Sequence, residues 1–200
     1  MCIHVHFNSQ KATQALVYFV AQEGGRMNKM KALKLIYFAD RYHLRKYGSP
    51  ITNDEYFAMP YGPVASGVKD IAEFSDFLGE QERLYALQFL KKVIAYEIGL
   101  VKSLEPDVLS QTDIEALSFA WKTFGKYNEF DLSMATHKYP DWKKHEKSIE
   151  RYGRIKMDLE DFLEDPVEPD MERCVPLSDQ EKRDTLDELR ERAQLDGLWN

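Results

Sequence analysis

Between residues 27 and 47, MNKMKALKLIYFADRYHLRKY, apolar side chains recur at helical spacing. Met30, Ala32, Leu33, Ile36, Tyr37, Ala39 and Leu44 fill about half of a helical wheel. An apolar face that wide predicts a helix at the centre of the core. Lys31, Lys34, Phe38, Arg41 and Arg45 share the opposite arc, which predicts an edge open to solvent or to a partner. Asp40 projects from the middle of the apolar face, where a carboxylate has to be hydrogen-bonded, paired or protonated.

Other stretches repeat the helical period around this one. Asn8 or Ser9 can cap a helix carrying Ala12, Ala15, Leu16, Phe19 and Val20, stopped at Gly24-Gly25. Gly48 supplies a C-cap for the central helix, and Ser49-Pro50 ends it. Ser110 with Asp113 forms a capping box ahead of the stripe Ile114, Leu117, Trp121 and Phe124, which ends near Gly125. Asp131-Leu132-Ser133 opens a short helix that leads to His137, Pro140 and Trp142. Ser178 and Glu181 box the start of a last helix with a narrow stripe, Leu186, Leu189 and Ala193, which has to fold back or dock on a partner.

Period-two stretches are few. Cys2 to Phe7 and Glu55 to Met59 read as short strands, and 85–104 fits either a buried helix or strands, with strands favoured after Lys92. Those strands and Glu55 to Met59 are expected to share one small sheet. Pro60-Tyr61-Gly62-Pro63 is the stiffest loop of the chain, since each proline fixes its own φ and restricts the residue before it. It holds Tyr61 in place, as a corner or as a contact surface, ahead of a helix expected from near Pro63 through Val68, Ile71, Ala72 and Phe74. The fold class expected is α+β, mainly α: a compact helical domain around a central buried helix, with a small antiparallel β element and an acidic C-terminal extension.

Composition changes this picture in one respect. The chain has 200 residues, 44% hydrophobic and 12% aromatic, enough for one well-buried domain. Its net charge of −7 is uneven: residues 1–157 hold 22 basic and 19 acidic side chains, and 158–200 hold 5 and 15. We therefore divide the chain at 157 and read 158–200 as an acidic linker and terminal helix. A nearly balanced body and an acidic tail argue against tight nucleic-acid binding. No apolar run approaches the ~20 residues needed to cross a bilayer, and the first ten residues lack the pattern of a signal peptide. Two distant cysteines, Cys2 and Cys174, form no disulfide framework, so a cytoplasmic protein with reduced thiols is expected.

Candidate chemistry is sparse. Phe38 among Lys34, Arg41 and Arg45, next to the Tyr61 corner, has the make-up of a binding edge, an aromatic anchor with a charged rim. Asp40 either fixes a neighbouring loop or acts as a general acid or base. Cys2, His4 and His6, or His137, Asp141 and His145, give no defensible metal geometry, so no metal and no cofactor are expected. Phosphate-binding loops, nucleophile elbows and recognition helices are absent from the sequence. We assign Asp40, Pro60, Gly62, Pro63, His137 and Trp142 to architecture, and no enzymatic activity is expected.

The stretch KALKLIYFADRYHLRKYGSPITNDEYFAMPYGPVASGVKD resembles the SocA-like antitoxins, the Panacea domain family, whose phage-associated members are called GepA-like. It combines a K-L-x-Y-x-A-D helix, a G-x-P-I-T turn, a Y-x-A-M-P segment and a Y-G-P-V corner. LSQTDIEALSFAWKTFG and the stretch from Thr136 through Pro140 to Trp142 continue the likeness, which covers about residues 9–150. Tyr61 departs from the family pattern, which has His there. The resemblance implies an antitoxin that neutralises a co-encoded protein toxin by direct binding. It also implies a second reading, an adaptor that presents the toxin to a protease. A hydrolase using Asp40 and His137 is a third reading, which requires both residues in one open cleft. The binding edge expected on either of the first two is Lys34, Phe38, Arg41, Arg45 and Tyr61, on a monomer or weak homodimer.

Overall fold

The computed structural model describes residues 6–166 and 175–198. It is α+β and mainly helical. In chain order, α1 (Ser9–Gln22) leads through β1 (Arg26–Asn28) into α2 (Lys29–Tyr47). A hairpin of β2 (Tyr56–Met59) and β3 (Gly62–Ala65) precedes α3 (Ser66–Glu73) and α4 (Glu80–Phe89). A second hairpin, β4 (Leu90–Ile94) and β5 (Glu97–Leu100), precedes α5 (Gln111–Phe124) and α6 (Glu129–Thr136). Short helices α7 (Pro140–Lys143) and α8 (Glu146–Tyr152), strand β6 (Ile155–Lys156), a 3-10 turn (Leu159–Leu163) and α9 (Asp179–Leu198) complete it. Among the described residues no helix is long and apolar enough to cross a membrane.

The central helix begins two residues later than its periodicity predicts, because Met27 and Asn28 pair with Ile98 and Glu97 of β5. The Asn28 side chain then caps α2, accepting from Met30 N (2.8 Å) and Lys31 N (3.3 Å). Gly48 ends it in the left-handed conformation, φ 75°. Nearly every residue of α2 from Lys31 to Arg45 is buried, on all faces.

Two sheets replace the single one expected. β1, β5 and β4 form one antiparallel sheet, and β3, β2 and β6 form the other. Both readings of 85–104 hold in part: it is helix to Phe89 and strand from Leu90. The helix expected from Pro63 starts at Ser66 instead, and Pro63 lies in β3 opposite Ala58. β3 is an edge strand, where the missing N–H of proline costs no ladder bond. Asp54 caps α3 from a distance, accepting from Gly67 N (2.9 Å) and Val68 N (2.7 Å), since Ala65 has no capping side chain. α6 starts at Glu129 rather than Asp131 because Asn128 caps it.

The acidic extension joins the core. Phe162 and Leu163 of the 3-10 turn are buried, and Leu189 of α9 is fully buried. Ser178 and Glu181 make the capping box their spacing predicts. Cys2 and His4 lie outside the described residues, as do Cys174, Trp199 and the side chain of Leu198, and His6 and Phe7 form no strand.

Candidate functional site

Asp40 is fully buried and spends both carboxylate oxygens on the loop after α2. Oδ1 accepts from Ile51 N (2.8 Å) and Thr52 N (3.1 Å); Oδ2 accepts from the Thr52 hydroxyl and from Tyr56 OH (2.9 Å). Burial pushes its pKa up, and these donors pull it back down. The side chain anchors the 51–56 stretch and reaches no solvent. His137 stacks flat on Trp142, centroids 3.7 Å apart and planes at 7°, and is not among the partners of Asp40. The open Asp40–His137 cleft required of a hydrolase is not formed.

The expected open edge of α2 is also not found, which corrects the sequence reading. Lys34, Phe38, Arg41 and Arg45 are 1–3% exposed. Phe38 stacks on Phe124 of α5, centroids 3.8 Å apart, and burying such a ring is worth about 1.5–3 kcal/mol. Arg41 donates to Asp141 Oδ2 (2.9 Å), which also accepts from Tyr37 OH (2.9 Å), and to the Glu164 carbonyl (2.5 Å). Arg45 donates to the carbonyls of Phe162, Leu163, Glu164 and Val175 and pairs with Asp165. A wheel places cations outside, yet a guanidinium can be buried wherever its five N–H groups find acceptors. Here the returning extension supplies those acceptors.

Tyr61 alone of the expected edge is exposed, at 63%. Its corner is the turn between β2 and β3, and three helices hold it by its carbonyls. Trp142 Nε1 donates to Met59 O (2.9 Å), the Ser133 hydroxyl to Tyr61 O (2.9 Å), and Lys34 Nζ to Pro63 O (2.7 Å). Gly62 takes φ 95°, and a Cβ there would sit 2.2 Å from Thr136 Oγ1. Gly62, the Pro63 carbonyl and Trp142 thus hold this turn, while Asp40 holds the stretch before it.

The turn forms one wall of a groove of about 550 Å³, a size typical of ligand and peptide sites. Its floor is the first half of α2, through Met30, Leu33 and Lys34. The turn of the other hairpin, Ala95-Tyr96, with α3 (Lys69, Glu73) and α6 (Glu129, Phe130), completes the lining. Tyr96 and Phe130 are 61% and 62% exposed. Sequence reasoning passed over both, although each is an aromatic at a tight turn or a helix start, where no core burial is expected of it.

Charges along the groove are mostly spoken for. Lys69 pairs with Glu73 (2.7 Å), Asn28 donates to Glu129 (3.1 Å), and Lys29 donates to Ala95 O (2.9 Å). Among the described residues Lys34 bonds the Pro63 carbonyl alone, and burial draws its pKa from the ordinary lysine range down to about 7. His137 is lowered by burial and then by the nearby Lys34 ammonium. Among the described residues no group of three or more His, Cys, Asp or Glu side chains is placed to hold a metal ion.

A family model described as Antitoxin SocA-like, Panacea domain, matches residues 33–143, from inside α2 to the end of α7. That span contains both hairpins and most of the groove. No curated protein and no solved structure gives a match.

Proposed function

We propose, from the premise that this chain belongs to the SocA-like antitoxin family of Panacea domains, that it neutralises a co-encoded protein toxin by binding it directly. The observation that carries the site of this binding is the groove between the two hairpin turns. It is apolar, it is rimmed by the exposed rings of Tyr61, Tyr96 and Phe130, and its Tyr61 turn is held by side chains from three helices. Exposed aromatics on a rigid frame are the usual anchors of a protein interface, because they bury a large area at little cost in conformational entropy. Of the edge expected from the sequence, Tyr61 and Lys34 line this surface. Phe38 packs on α5, and Arg41 and Arg45 bind the returning extension, outside the lining.

The test is growth rescue by co-expression with the product of the adjacent gene, together with the affinity of the purified pair. Tyr96→Asp and Phe130→Asp, at exposed positions that leave the fold intact, are expected to abolish rescue and to weaken binding by about 2 kcal/mol or more. Folded Tyr61, Tyr96 and Phe130 variants that all neutralise like wild type would overturn this site. Loss of rescue on reversing the exposed charges Glu188 and Glu191 would then move the contact to α9.

A further inference from the structure

The buried cations of α2 are not treated alike. Lys31 pairs with Glu23 (2.7 Å), Arg41 with Asp141 (2.9 Å) and Arg45 with Asp165. Lys34, as deeply buried as any of them, has no carboxylate among the described residues. An ammonium carries three N–H donors, and one neutral carbonyl takes one of them. An unpaired buried charge is costly to keep, and an apolar residue of similar length would avoid the cost. Lys34 also lines the groove, so a group entering there can reach its side.

We infer that the groove takes a segment of the toxin in which an Asp or Glu is flanked by apolar side chains, with the carboxylate seated over the Lys34 ammonium. This rests on the toxin-binding reading above and states which chemistry enters the groove. The apolar flanks match Met30, Leu33 and Val64 of the lining and the exposed rings at the rim. Charge complementarity favours a carboxylate: the lining holds three lysines, Lys29, Lys34 and Lys69, against two glutamates, Glu73 and Glu129, so its balance is positive when Lys34 is protonated. A phosphate chain fits worse, since Glu73 and Glu129 stand where a nucleic-acid groove would carry further cations. Near Lys34 among the described residues stand the Pro63 carbonyl of β3, the Thr136 hydroxyl beside Gly62 and the ring of His137. Of these only His137 titrates, and it is held below the ordinary histidine value, so it stays neutral between pH 7 and 9. Burial leaves Lys34 half-protonated near pH 7, so a carboxylate that binds the ammonium also draws a proton onto it.

The experiment measures affinity of the full chain for the adjacent gene's product from pH 6 to 9. Wild-type affinity is expected to fall toward about tenfold per pH unit above 7. Lys34→Arg, charged throughout, should bind nearly evenly across the range, and Lys34→Met should bind weakly and without pH dependence. Changing the toxin's carboxylates one at a time to amides should reveal one whose loss weakens wild type at pH 6 and leaves Lys34→Met binding unaltered. If Lys34→Met does not fold, the toxin scan decides alone: loss of the critical carboxylate must erase the pH dependence of wild type. A flat wild-type profile, with Tyr96→Asp still abolishing binding, overturns the carboxylate and leaves the groove standing. Unchanged binding by Tyr96→Asp overturns the groove reading itself. A pH dependence that disappears when this chain's own Glu168, Asp170 and Glu172 become amides assigns the ammonium to its acidic run and also overturns the inference.

Discussion

A carboxylate on the apolar face of a helix sets a question that its partners answer. Asp40 collects two backbone N–H groups and two hydroxyls from the 51–56 stretch, so it links α2 to the loop and to β2 at once. Removing it leaves those donors buried and unpaired, which is the expensive half of losing a hydrogen bond. Asp40→Ala is expected to cost on the order of 1 to 3 kcal/mol in a denaturant melt. Full stability with lost neutralisation would instead give Asp40 a part in function. The anomaly at Asp40 was legible in the sequence; the identity of its partners was not, because they lie 11 to 16 positions away in an irregular loop.

At the scale of elements, the determining contact is between α2 and the returning extension. Arg45 holds the carbonyls of Phe162, Leu163 and Val175, at the end of the 3-10 turn and ahead of α9, and thereby covers the C-terminal half of α2. Arg45→Ala is expected to destabilise the protein by on the order of 2 to 4 kcal/mol, through several lost charge-assisted bonds. The same variant should expose residues 175–195 to limited proteolysis at concentrations of protease that spare wild type. Equal protection of α9 in the variant would mean that Leu189 docks the helix without Arg45's help. Helix existence was readable for α1, α2, α5 and α9, with the caps at Asn8, Gly48, Ser110 and Ser178, since capping is local chemistry. Pairing was not: Gly62–Ala65 read as the approach to a helix because nothing local marks Pro63 as an edge-strand residue opposite Ala58.

For the whole molecule, two buried groups set opposing pH dependences. Burial raises Asp54 to about 7, so its contribution to stability is complete below the ordinary aspartate range and is lost as pH rises through 7. Lys34 is lowered to about 7; it weighs against the folded state below that value, and the penalty is relieved as pH rises from 7 toward the ordinary lysine range. Their joint balance is least favourable near neutrality. Thermal melts across pH 4 to 10 should therefore show Asp54→Asn removing the loss between 4 and 7, and Lys34→Met removing the gain above 7. Wild-type-like slopes in both variants would show that other groups set the profile.

The mainly helical class, the buried central helix with its Gly48 cap, the stiff Tyr61 turn and the likeness to an antitoxin family were already set in the sequence, because periodicity, capping and turn chemistry act between near neighbours. Tertiary structure alone decided that the basic arc of α2 turns inward. A wheel records which residues share a face and leaves open what covers that face. Here α5 covers Phe38, and the acidic extension brings carbonyls to Arg41 and Arg45 from more than a hundred positions away. The groove was likewise hidden, since Tyr61, Tyr96 and Phe130 meet only when two hairpins from separate sheets close over the same half of α2.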